Sequence, residues 1–275
     1  MDKAIVFGAF EFLGFHCCYS LLDKGYEVTG IQIEESKALY IENMRLEIGR
    51  NANFFEVEPR NWNLTELNSS SIIFIDYYDL YLKFTESAVW QALIGPKLQE
   101  GMEMIKSSNS KIVLLLPIQK LINQKEEHLP LTNSLEELRN EGVFLQIFYL
   151  PTIYGPWQNS ELLFQKSLLG MLSEETSSKL SEREWINDAI FVKDVVRDII
   201  RILEEETSTV EWILESDVSN HWEECADYLN IDQIARETEE GLKSLAGQIP
   251  TIKVIPEQIF PQGLLQQKKV IDSLG

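Results

Sequence analysis

Apolar positions along the chain follow two periods. Runs rich in Ile, Val, Leu and Phe from Lys3 to Phe7, Glu27 to Ile33, Phe54 to Val57, Ile72 to Ile75, Ile112 to Leu116 and Val143 to Leu150 have the length and composition of strands. Between them, helical spacing covers Leu13 to Lys24, Ala38 to Ile48, Glu86 to Lys106 and Ser134 to Arg139. Strands that are apolar throughout are covered on both faces, and strands that alternate with helices pair in parallel. The first 33 residues already complete one strand-helix-strand unit.

Past Pro151 the pattern loosens. Ser160 to Leu172 has helical spacing, and Ser173 to Glu184 is polar and reads as a loop. Lys193 to Glu206 is an amphipathic helix with Val195, Val196, Ile199, Ile200, Ile202 and Leu203 toward a core. Val210 to Leu214 suits a strand, His221 to Leu229 a short helix and Ile249 to Pro256 an extended segment. No internal repeat or long linker separates this part from the rest, so it is expected to be a lobe packed on the sheet.

Of the 275 residues, 44% are hydrophobic and 25% charged, which excludes disorder as the general state. The formal charge of −20 repels phosphate backbones and anionic membrane surfaces, so neither nucleic acid nor membrane is expected as a partner. No apolar run approaches the roughly 20 residues of a membrane span. The start, MDKAIVFGAF, runs straight into a strand without a basic leader. Cys17, Cys18 and Cys225 are an odd number without metal-ligand spacing and read as buried free thiols. These observations together point to the cytoplasm and to no metal.

The candidate chemistry begins at the first turn, Gly8-Ala9-Phe10-Glu11-Phe12-Leu13-Gly14, between a strand and a helix. A dinucleotide fingerprint needs glycine for the tight turn, for backbone approach to pyrophosphate and for packing of helix on strand. The first and last glycines are present, and Glu11 stands at the middle position.

With this turn the chain resembles the extended short-chain dehydrogenase/reductases, the NAD-dependent epimerase/dehydratase family. AIVFGAFEFLGFH follows that family's opening, including His16 after the last glycine. Leu150-Pro-Thr-Ile-Tyr-Gly-Pro-Trp-Gln158 is similar to its Arg-Pro-x-x-x-Tyr-Gly-Pro segment, with Leu150 where arginine is common. The stretch from Trp185 to Val196 and the strand and helix from Val210 to Leu229 are also similar. The resemblance implies an α/β fold, a Rossmann-type doubly wound parallel sheet with a small C-terminal lobe. Residues 1–155 would form a dinucleotide-binding core. Residues 156–275 would complete the sheet near 185–215 and form the substrate-type lobe. It also implies NAD as cofactor, Gly8, Phe10, Glu11, Phe12, Leu13, Gly14 and Gln32 as cofactor-site positions, and a nucleotide sugar as substrate.

The departures bear on function. Glu11 would set a carboxylate against the pyrophosphate unless it points into solvent. Gln32 stands where an acidic residue takes the ribose, with Glu34 and Glu35 beyond it and no arginine close in sequence to favour a 2′-phosphate. Asp76, Tyr77 and Tyr78 follow the fourth strand where the family has small residues; they would fill cofactor space or line a smaller pocket. The family's Tyr-x-x-x-Lys pair is absent: no tyrosine has a lysine four positions on, and the fifth strand ends Leu115-Leu116-Pro117 without serine. Of the helix that carries that pair, only about Ser134 to Arg139 is expected, which would weaken the family's dimer. Tyr154 is the one substitute, more structural than catalytic. His16, His128 and His221 show no Ser or Cys partner in sequence.

The expectation is a catalytically degenerate scaffold that binds a small ligand or a protein partner, with NAD binding weak or lost. The alternatives are an active NAD-dependent nucleotide-sugar epimerase, dehydratase or reductase with a rearranged acid/base residue, and a purely structural or assembly role.

Overall fold

The computed structural model describes residues 2–32, 39–58, 60–64, 67, 69–83, 90–122, 129–172, 184–205, 210–231 and 249–274. Glu34, Glu35 and His128 lie outside the described residues, as does the loop expected from Ser173 to Glu184 except for Glu184 itself.

Ten strands form: β1 (Lys3–Phe7), β2 (Glu27–Ile31), β3 (Phe54–Val57), β4 (Ser71–Asp76), β5 (Lys111–Pro117), β6 (Phe144–Leu150), β7 (Thr152–Tyr154), β8 (Ala189–Phe191), β9 (Glu211–Ser216) and β10 (Thr251–Val254). The eight-stranded sheet has the order β10-β9-β6-β5-β4-β1-β2-β3. Read from its far end, the first six strands follow 3-2-1-4-5-6, the order of a doubly wound dinucleotide fold. The expected α/β class and parallel sheet are therefore present.

The chain divides into two compact units. The first comprises Met1–Leu116, Asn123–Phe148 and Ser208–Val210. In it β1 lies between β2 and β4, parallel to both, with Val6 opposite Gly30 on one side and Phe74 on the other. Val6, Phe7, Phe74 and Val113 are fully buried, as strands covered on both faces require. Helices α1 (Phe12–Asp23), α2 (Leu39–Ile48), α3 (Tyr77–Lys83), α4 (Gly95–Ser107) and α6 (Leu129–Asn140) belong to this unit.

The helix expected from Glu86 to Lys106 is broken. A π-helical turn, Trp90–Ile94, precedes α4, and the change falls at Gly95-Pro96, where proline has no N–H to continue the ladder. The helix expected only from Ser134 to Arg139 runs from Leu129, because Pro130 is tolerated in a first turn and Leu131, Leu135 and Leu138 are buried.

The second unit comprises Pro117–Ile122, Tyr149–Thr207 and Glu211–Gly275. Strands β9 and β10 pair in parallel, and β7 and β8 form a separate two-stranded sheet. Its helices are α5 (Gln119–Ile122), α7 (Leu163–Leu168), α8 (Val192–Glu204), α9 (His221–Tyr228) and α10 (Gln262–Leu274). Helix α7 is shorter than the expected Ser160 to Leu172, and β9 runs over Glu211–Ser216 rather than Val210 to Leu214. Helix α10 is anchored by Gln267, whose amide donates to Gln158 (2.7 Å) and Gln165 (2.6 Å) and accepts from the Gly155 N–H (3.0 Å).

Candidate functional site

In a doubly wound sheet the crevice lies outside the carboxyl ends of the strands where the order reverses, here β1 and β4. The turn after β1 is built as its glycines predict. Gly8 has φ of 94°, and the Gly8 and Ala9 N–H groups donate to the Ile31 carbonyl at 2.9 and 3.1 Å. At Gly14 a Cβ would run into the Gly8 carbonyl, so no other residue fits that packing. Phe10, Phe12 and Leu13 are buried. Glu11 occupies the N-cap of α1 with extended backbone and no side-chain cap bond. It does not reach into solvent, being only 7% exposed, so the solvent-pointing alternative is not the one found.

A helix start leaves N–H groups without intrahelical partners and carries partial positive charge. Here carboxylates from the end of β4 and the start of α3 take those donors. The Leu13 N–H donates to Asp79 Oδ2 at 2.7 Å and the Gly14 N–H to Asp76 Oδ2 at 2.9 Å. Asp76 Oδ1 also accepts the Asp79 N–H at 3.1 Å. Both side chains are buried. Burial, and then the Asp79 charge, push the Asp76 carboxyl well above the usual range, which favours one proton shared by the pair. Tyr77 and Tyr78 are buried beside them, with Tyr77 edge-on to Trp90 at 6.0 Å. Cys17 is buried nearby and its thiol is pushed up, first by burial and then by Asp76.

At the end of β2 the fold supplies what sequence proximity did not. Arg45, thirteen positions on, donates to Gln32 Oε1 at 3.1 Å. Its guanidinium is held in a fork by Glu56 (2.9 and 2.8 Å), pairs with Glu42 (2.6 Å) and lies 4.9 Å over the Phe10 ring. No arginine is close to Gln32 in sequence, but the fold brings Arg45 to it, and this arginine already has two carboxylates.

Tyr154 lies in the second unit, at the end of β7. Its hydroxyl is 3.0 Å from His221 Nε2, and His221 Nδ1 is 3.1 Å from Glu224 Oε2. Cys225 Sγ lies 3.9 Å from the same Nε2. His221 thus has partners that sequence reading did not find. Burial pushes the Tyr154 phenol and the Cys225 thiol up, so both favour their protonated forms. His16 packs between Phe12 and Phe15, at ring distances of 5.6 and 5.4 Å. All three cysteines are free and buried. Among the described residues no His, Cys, Asp and Glu cluster could hold a metal, and no helix is long and apolar enough to cross a membrane.

No family model and no curated protein matches the sequence. Solved structures do. UDP-glucuronic acid 4-epimerase from Bacillus cereus, in complex with UDP-glucuronic acid and NAD, superposes with a TM-score of 0.65 over 99% of this chain and 100% of its own, at 16% identity. The dTDP-glucose 4,6-dehydratase from Bacillus anthracis, in complex with NAD, gives 0.64 over 99% and 97%, at 13% identity. The chain shares the fold of these structures. UDP-glucose 4-epimerase from Thermotoga maritima, with UDP-glucose, matches it too, with a TM-score of 0.62 over 98% of this chain and 99% of its own at 13% identity. On the epimerase/dehydratase fold β5 ends here at Pro117, followed by Ile118 and Gln119.

Proposed function

We propose that this chain is a catalytically degenerate protein on the epimerase/dehydratase fold, a ligand- or partner-binding scaffold with weak or no dinucleotide binding. The supporting observation is the pair of bonds from the Leu13 and Gly14 N–H groups to Asp79 and Asp76. A helix start in this fold offers its donors to a pyrophosphate. Here the chain's own carboxylates stand in for that anion, so the residues present do not fit a pyrophosphate. Admitting one breaks those bonds and brings like charges together, at a cost on the order of 1 to 4 kcal/mol for each pair about 4 Å apart. The buried Glu11 and the missing Tyr-x-x-x-Lys pair support the same reading. The three buried free cysteines suit a reducing cytoplasm.

Calorimetric titration with NAD, NADH, NADP and NADPH tests this. No saturable binding at millimolar cofactor is expected from the parent, and Asp79→Ala is expected to bind NAD at least about tenfold better by freeing the Leu13 donor. Micromolar NAD binding by the parent would overturn the proposal.

One observation favours a second reading, an active nucleotide-sugar enzyme with a rearranged acid/base residue. Tyr154, His221 and Glu224 form a hydroxyl, an imidazole and an orienting carboxylate in hydrogen-bonded series. NAD-dependent turnover of UDP-glucuronic acid that is lost in Tyr154→Phe would establish it.

A further inference from the structure

The second unit has a partly open cavity of about 150 Å³. One wall is aromatic: Phe191, Tyr154, His221 and Phe260 follow one another with ring centroids 5.7 Å apart at each step. Asp194 and Glu224 also line it, and among the described lining residues there is no lysine or arginine. Asp194 is only 3% exposed. Its Oδ1 accepts from Arg197 Nη1 at 2.8 Å and from the Glu257 N–H at 3.2 Å. Its Oδ2 accepts no hydrogen bond from any described residue. Asp194 shares the Arg197 guanidinium with Asp198 and Glu257, while Asp198 also pairs with Arg201, so Asp194 holds only part of the Arg197 charge.

A carboxylate oxygen that faces a cleft favours a cation there, and ring faces attract a cation through their quadrupoles. One kind of occupant satisfies both conditions. We propose that this cavity binds a small organic ammonium ion, its charge toward Asp194 Oδ2 and Glu224 and its alkyl groups against the rings. An anion would meet two carboxylates, and a neutral molecule would leave Oδ2 without a counter-charge. The site lies wholly within the second unit and does not rest on the reading of the first-unit turn, so the NAD titration and the test below fail independently.

The probe is choline chloride added to the full-length chain at low salt, with 3,3-dimethylbutan-1-ol as its uncharged isostere, followed by calorimetry and by the proton resonance of the methyl groups. Saturable choline binding with an upfield ring-current shift is expected, with the alcohol at least about tenfold weaker. Asp194→Asn is expected to weaken choline about tenfold. Asp194 also holds Arg197, so Phe260→Leu, which changes a half-buried ring, serves as the second variant. It is expected to weaken choline about threefold or more and to shrink the upfield shift. Equal affinity for choline and the alcohol, or no saturable choline binding, overturns the proposal. So does unchanged binding in Phe260→Leu, which decides the matter if Asp194→Asn does not fold.

Discussion

In the first unit the start of α1 offers two N–H groups, and buried Asp76 and Asp79 take both. In the second unit the buried Asp194 gives one oxygen to Arg197 and leaves the other beside a cavity lined by rings. In each case donors reach at least one oxygen of the buried carboxylate. The difference is what remains: the first arrangement is closed on itself, and the second has an acceptor to spare.

The largest effect is expected at the turn that positions the closed site. Gly14→Ala forces a methyl into the Gly8 backbone carbonyl, which cannot rotate away, and is expected to cost about 3 kcal/mol or more in urea unfolding. A variant of parental stability would show that the α1 start is not the rigid frame described.

In the second unit, stability is expected to respond to pH. Burial pushes the Glu184 carboxyl from 4.5 up to about 7 and the Asp188 carboxyl from 3.8 up to about 6. A carboxyl raised by folding stabilises most when both states are protonated, below the unfolded value, and that contribution is lost as pH rises through the folded value. Glu184→Gln keeps an acceptor for the Leu163 N–H without the titration. The stability of Glu184→Gln relative to the parent is therefore expected to rise by roughly 3 kcal/mol between pH 4.5 and 8. A difference that stays flat over that range would remove Glu184 from the account.

Asp79→Ala leaves the buried Leu13 N–H without its acceptor and is expected to cost about 2 kcal/mol, read from the same unfolding curves. A neutral outcome would mean that the helix start is not closed by this carboxylate. The smallest effect is expected from Tyr154→Phe, about 1 kcal/mol, because only the hydroxyl bonded to His221 is removed. A nitrogen NMR spectrum of the His221 ring should change in that variant and not in Asp79→Ala. The reverse pattern would contradict the assignment of these contacts to separate units.

Much of the fold was legible because its signals are local. β1 and β3 fall where the apolar runs place them, and α8 follows its apolar stripe to within two residues of the expected ends. What escaped was of three kinds. The three-residue strands β7 and β8 are too short to show a period. Helix α10 buries Gln267, which a hydrophobicity pattern counts as solvent-facing. α3 begins directly where β4 ends and spans only seven residues, too few to show a helical period. The site was legible only in outline: the glycines of the first turn and the odd residues Glu11, Asp76 and Tyr77 stood out, but not what they touch.

By itself the sequence determined the alternation of strands and helices, the turn at Gly8 and Gly14, the absence of a Tyr-x-x-x-Lys pair and the acidic charge, since each depends on residue type and spacing alone. Tertiary structure decided that Asp79 meets Leu13 across 66 positions, that Arg45 reaches Gln32, and that Tyr154 meets His221 across 67. Those pairings follow from the strand order, which brings the ends of β1 and β4 side by side, and from the packing of helices within each unit. Local propensity carries no record of either.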